Sequence, residues 1–151
     1  NKILQKNPVE QNDLFVSPVD ISDHNIPNGN SVFLISCKKL EAITGESKWQ
    51  SMGKELMSSV HSFLNLHSSQ MVSYIKNLDM CEELTTFTFF GNIEKFKNLH
   101  QYVKNRYLKS STFIYKEDQK ENYLVVCKNQ TCSNKIKDID SLKSVVKNYA
   151  I

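Results

Sequence analysis

Thr85-Thr-Phe-Thr-Phe-Phe-Gly91, followed by Asn92 and by Ile93-Glu-Lys-Phe-Lys-Asn-Leu-His-Gln-Tyr-Val-Lys-Asn-Arg-Tyr107, is the stretch whose reading decides the fold. Its first six residues are all β-branched or aromatic, the composition of a strand, and Gly91-Asn92 ends it. Ile93, Phe96, Leu99, Val103 and Tyr107 then recur with a helical period. Asn92 suits the cap of that helix and Glu94 its positive end, while Lys104 and Arg106 suit its negative end. Two further strands follow, over Thr112–Lys116 and Asn122–Cys127. Strand, helix and strand in this order predict parallel pairing with a right-handed crossover. Leu124 and Val126 should face one side of their strand and Val125 and Cys127 the other. An unbroken apolar run of this kind predicts burial on both faces.

Outward from this unit, Lys116–Glu121 reads as a charged turn. A last helix is expected from Asp140 to about Tyr149, capped by Asp140, with Leu142, Val145, Val146 and Tyr149 as its buried face. On the N-terminal side, Pro27-Asn-Gly-Asn-Ser31 is a turn leading into a helix capped by Asn30 or Ser31 and stopped by Gly45. Val32-Phe-Leu-Ile-Ser-Cys37 makes that helix apolar nearly all round, so it should be buried on every side. A second helix, Ser47–Leu66, presents Trp49, Met52, Leu56, Val60, Phe63 and Leu64. A third, Ser69–Met80, presents Met71, Val72, Tyr74, Ile75 and Leu78. Short linkers imply antiparallel hairpins. Residues 1–30, broken by Pro8, Pro18 and Pro27, form an irregular lead-in with Leu14-Phe-Val16 as a short anchor. The expected class is α+β: a lead-in over 1–30, helical hairpins over 31–82, and a small three-layered α/β unit of about three strands over 83–151.

The 151 residues suffice for a real core, and 40% hydrophobic with 23% charged residues is ordinary for a soluble domain. No run approaches the roughly 18 apolar residues of a membrane span. The opening Asn-Lys-Ile-Leu-Gln-Lys is not a signal peptide. These readings point to a cytoplasmic protein without a membrane partner. The first residue is not Met, so a fragment or processed chain is expected. Net charge is +3 but uneven: residues 1–92 carry −3 and residues 93–151 carry +6. The lysines of the basic half are scattered, which reads as a solvated surface rather than a nucleic-acid footprint.

Asp20, Asp23, His24, Asn28, Asn30 and Ser31 crowd the mouth of the first helix. Carboxylates beside a histidine are what acid–base catalysis uses, and also what a capped loop uses. Asp23, His24 and Asn30 are the catalytic candidates. His61, His67 and His100 read as surface or packing residues. Gly91-Asn92, between a strand and a helix, is a place where anions bind in α/β folds, although one glycine is far from a phosphate-binding fingerprint. Cys127-Lys-Asn-Gln-Thr-Cys132 lacks the two-residue spacing of thioredoxin-type pairs, and a zinc site would need two more ligands. No metal or cofactor is expected. Cys127 and Cys132 could close a turn with their Cα atoms within the roughly 4.4–6.8 Å of a disulfide, as a redox pair. With Cys37 and Cys81 they are too few and scattered for a secreted scaffold, so free thiols are expected.

Two segments together resemble a known family. One is Pro27-Asn-Gly-Asn-Ser-Val32, preceded by Ser17-Pro-Val-Asp20 and Asp23 and followed by Ile43-Thr-Gly45. The other is Tyr123-Leu-Val-Val-Cys127-Lys-Asn-Gln-Thr-Cys132, followed by an Asp before the last helix. In order and spacing they are similar, over roughly residues 14–147, to the C-terminal portion of the thioredoxin-domain-containing proteins of the spermatogenesis-associated type. The resemblance implies an upstream thioredoxin-like domain and a six-hairpin (α/α) toroid similar to N-acylglucosamine 2-epimerase. This chain would then be a closing region whose first helix is an inner toroid helix. Its partners would be those upstream domains or, in isolation, other copies of itself through residues 31–43. The sequence departs from the family at His24, where Gly is usual, at Asn28 for Ser, at Lys135 for Pro and at Asn92 for Asp. Three function classes follow: a structural closing module, a contributor to a carbohydrate-acting epimerase- or isomerase-like site, and a thiol-redox partner.

Overall fold

The computed structural model describes residues 3–5, 18–106, 108–117, 120–129 and 131–147. The Leu14-Phe-Val16 anchor, Pro8, Tyr107, Tyr149 and the Ile93 side chain lie outside the described residues. The architecture is mixed α+β, with five α-helices and one four-stranded mixed sheet among the described residues, and the chain divides into two compact units between Cys81 and Glu82.

The first unit holds helix α1 (Gly29–Thr44), α2 (Ser47–His67), a 3₁₀ turn (Ser68–Gln70) and most of α3 (Val72–Glu82). Helix α1 starts earlier than the sequence suggests. Its cap is Asn28, whose Oδ1 accepts from the Ser31 backbone N–H at 2.9 Å. Asn30 is already helical, and its side chain has other partners. Gly45 ends α1 as expected, at φ 72°, donating its N–H to the Glu41 carbonyl. Leu34, Leu56, Val60, Met71 and Tyr74 form the core of this unit, and Ile3 joins it from the lead-in. Full burial of each aliphatic side chain here is worth about 1.5–3 kcal/mol. The all-round burial expected of α1 does not occur within this chain. Leu34 and Cys37 are buried, but Val32 is 48% and Ile43 50% exposed. In α3, Tyr74 points inward while Val72 and Ile75 are exposed. The β-branched residues expected on its buried face are on the other side.

The second unit carries β1 (Thr85–Phe90), a 3₁₀ turn (Ile93–Phe96), α4 (Lys97–Lys104), β2 (Ser111–Lys116), β3 (Tyr123–Lys128), the short β4 (Thr131–Cys132) and α5 (Ile139–Lys147). Strand order is β2-β1-β3-β4. The pair β1–β2 is parallel, as the strand–helix–strand order requires, and β1–β3 and β3–β4 are antiparallel. The sheet is thus one strand wider than expected. Phe87 and Phe89 alternate inward from β1 and meet Val126 and Leu124, their register partners on β3. Phe96, Leu99 and Val103 cover them from the connecting segment, and Leu142 and Val146 from α5. Both helices therefore pack on one face, giving two layers and not three. The opposite face, with Val125 and Cys127, is only partly buried, the two described helices of this unit lying on the other side. Phe89 also stacks on Tyr115 at 5.1 Å between ring centroids, and Phe87 on Phe113 at 5.4 Å.

Two local differences have plain causes. Asn92 caps as expected, accepting from the Glu94 N–H, but the first turn is 3₁₀. The cap of α5 is Asp138 and not Asp140, since the Asp138 carboxylate accepts from the backbone N–H groups of Asp140 and Ser141. Gly91 sits at φ 112°, and a Cβ there would lie 2.5 Å from Asn122 Oδ1 and 2.7 Å from the Glu121 carbonyl oxygen. We expect Gly91→Ala to destabilise this unit by more than about 1 kcal/mol in denaturant titration. Gly29→Ala, with open space around its Cβ, should be close to neutral.

Candidate functional site

The polar residues at the mouth of α1 form a closed hydrogen-bond network. Asp23 is its hub. One carboxylate oxygen, Oδ2, accepts from the Ser73 backbone N–H at 2.6 Å. The other, Oδ1, accepts from the Ser73 hydroxyl, from the Asn28 N–H at 3.1 Å and from Asn28 Nδ2 at 3.0 Å. The Asp23 N–H donates to the Gln70 carbonyl. Ser31 Oγ lies 2.9 Å from Ser73 Oγ and donates to the Asn28 carbonyl, and Asn77 donates to the Ser31 carbonyl. Burial pushes the Asp23 carboxyl up, but the hydrogen bonds from Ser73 and Asn28 outweigh it and hold it below the usual carboxylate range.

The other two catalytic candidates stand apart from this carboxylate. Asn30, 2% exposed, is engaged on both sides: Oδ1 accepts from the Leu4 N–H and Nδ2 donates to the Asp20 carbonyl. His24 turns outward, with its side chain 71% exposed, and lies 3.6 Å from Asp20. Asp23 and His24 are neighbours in sequence, but they do not form an acid–base pair. Sequence reasoning missed Ser73, Asn77 and Gln70. They reach the loop from 42 to 50 residues away, and no local motif marks them.

An open depression of about 270 Å³ lies beside the network, lined among others by Asp20, Ser22, His24, Ile26, Asn28 and Asn30. Tyr74 is 1% exposed, its hydroxyl has no hydrogen-bond partner, and burial, with the nearby Cys81, pushes it up to about 12. It is a core residue with no proton to give near neutral pH.

In the second unit the first two N–H groups of the strand-to-helix turn are engaged within the fold. The Gly91 N–H donates to the Lys116 carbonyl and the Asn92 N–H to Asn122 Oδ1. Cys127 and Cys132 are register partners on β3 and β4 and are joined in a disulfide, with Cα atoms 4.0 Å apart. This corrects the expectation of free thiols at these positions, and the approach is closer than the spacing suggested. Lys128 pairs with Thr131, and in this register Cys127 faces Cys132. Among the described residues Cys37 and Cys81 are not in a disulfide. Among the described residues no cluster of three or more His, Cys, Asp or Glu side chains could hold a metal ion, and no helix is long and apolar enough to cross a membrane.

Compared with protein-family models, with curated proteins and with solved structures, the chain matches none of them.

Proposed function

We propose that this chain is the C-terminal closing region of a protein of the thioredoxin-domain-containing type, with no chemistry of its own at the mouth of α1. In this reading α1 to α3 supply hairpins to a helical toroid, the protein is cytoplasmic, and its partners are its own upstream domains. The observation that carries the reading is the engagement of Asp23, whose two carboxylate oxygens accept four hydrogen bonds from within the loop and α3. A general base needs a carboxylate free to take a proton and poised near working pH. The outward Val32 and Ile43 support the same reading, being eleven residues apart and so on one side of α1.

A second reading, participation in a carbohydrate-acting site of the whole protein, draws on the polar depression lined by Asp20, Ser22 and His24. Light scattering of the chain, alone and mixed with the upstream helical part, tests the first. The chain alone should self-associate, Val32→Lys with Ile43→Lys should restore a monomer, and the upstream part should replace self-association with a one-to-one complex. A monodisperse monomer indifferent to the upstream part would overturn it. Saturable binding of an N-acylhexosamine to the whole protein, abolished by His24→Ala, would favour the second reading.

A further inference from the structure

We infer that Cys127 and Cys132 form a reversible two-electron thiol–disulfide couple that exchanges with external dithiols through the sulfur of Cys132. The two sulfurs differ in access. Cys132 lies on an exposed two-residue edge strand, whereas Cys127 is half-buried on β3. A thiolate arriving from solvent therefore meets Cys132 Sγ first.

The hairpin is held by more than the disulfide. The Ser133 N–H donates to the Val126 carbonyl at 2.8 Å, and Ser133 Oγ accepts from the Val126 N–H. Ile136, 3% exposed, exchanges two backbone hydrogen bonds with Leu124. The buried cluster of this unit is built from Phe87, Phe89, Leu124, Val126 and the helices, and contains neither cysteine. Breaking the S–S bond thus leaves the core and the register in place. The two thiols stay opposed, ready to re-form the bond. A disulfide needed for folding would close a long loop or staple the core. This one closes a short hairpin that is already hydrogen-bonded.

The exchange balances without further components. A thiolate of the dithiol attacks Cys132 Sγ, the S–S bond breaks, and Cys127 leaves as a thiolate that takes a proton. The second thiol of the reagent then attacks the mixed disulfide. This releases Cys132 as a thiol and leaves the reagent oxidised by two electrons, the protein being reduced by two. In a reducing compartment the pair would rest as the dithiol, and a disulfide-bearing oxidant would re-form the bond by the reverse exchange.

The test uses the full chain with dithiothreitol and with glutathione redox buffers, followed by alkylation and peptide mass spectrometry that separates all four cysteines. Expected is reduction of Cys127 and Cys132 in millimolar dithiothreitol under native conditions, with circular dichroism unchanged and re-oxidation by oxidised glutathione once the reagent is removed. Cys127→Ser, which leaves Cys132 as a thiol, should form a mixed disulfide with oxidised glutathione, releasing one reduced glutathione, at least tenfold faster than Cys132→Ser. The double variant Cys127→Ala with Cys132→Ala should stay folded, which guards against misreading a folding defect. A disulfide that resists dithiothreitol until the chain unfolds, or whose reduction unfolds the second unit, would overturn the proposal. So would equal reactivity of the two single variants.

Discussion

Val126→Asp is expected to unfold the second unit. Val126 is fully buried, sits opposite Phe87 on β1, and belongs to the cluster with Leu124, Leu142 and Val146. The side chains that Val126 packs among are apolar, so a carboxylate there would lose its water. The penalty is about 4 kcal/mol or more, a large share of the roughly 5–15 kcal/mol that holds a domain folded. The measurement is circular dichroism with thermal and denaturant unfolding, in which the transition of residues 82–151 should be lost. Val125→Thr, one position along and on the partly exposed face, should cost less than about 1 kcal/mol and serves as the control. A near-normal transition for Val126→Asp would show that the strand is wrongly placed.

Asp23→Ala should destabilise the first unit by about 3 kcal/mol. It removes an acceptor of four hydrogen bonds and leaves the Ser73 N–H and Asn28 N–H without it. The pH dependence follows from the direction of its shift. The folded-state value lies below the ordinary one near 3.8, so the unfolded chain binds the proton more readily. The stabilisation is complete above the ordinary value and is lost as pH falls through the lower folded value. Unfolding titrations of the parent and Asp23→Ala should therefore converge as pH drops below about 4. Curves that stay parallel down to acid pH would mean that the charge of Asp23 contributes nothing.

Much of the second unit was legible from alternation and period. Thr85–Phe90 lay within a run that could only be a strand, and Phe96, Leu99 and Val103 fell on the buried side of the segment that follows. The strand-to-helix order required the parallel pair. What the sequence could not show was the number of layers, because α5 could have covered either face of the sheet. The apolar run over Leu124–Val126 suggested two covered faces, yet Val125 is only partly buried.

In the first unit the cap went to Asn28 because Asn30 is taken by partners from residues 4 and 20, a long-range choice that local capping rules cannot make. The candidate site was legible as a crowd of polar residues but not as a network, since Ser73 and Asn77 arrive from α3. The cysteine pair was legible as close in space, but its bonded state was not: that depends on an edge strand only two residues long.

In the reading proposed above, the polar cluster at the mouth of α1 braces the fold and is not poised for proton transfer. Carboxyl carbon NMR of the chain, labelled at aspartate and titrated with acid, tests it most directly. Asp23 should titrate below the ordinary aspartate value, and its shift should shrink in Ser73→Ala, which removes one of its four donors. A value raised toward neutrality, as a general acid or base requires, would mean that Asp23 is poised to move a proton.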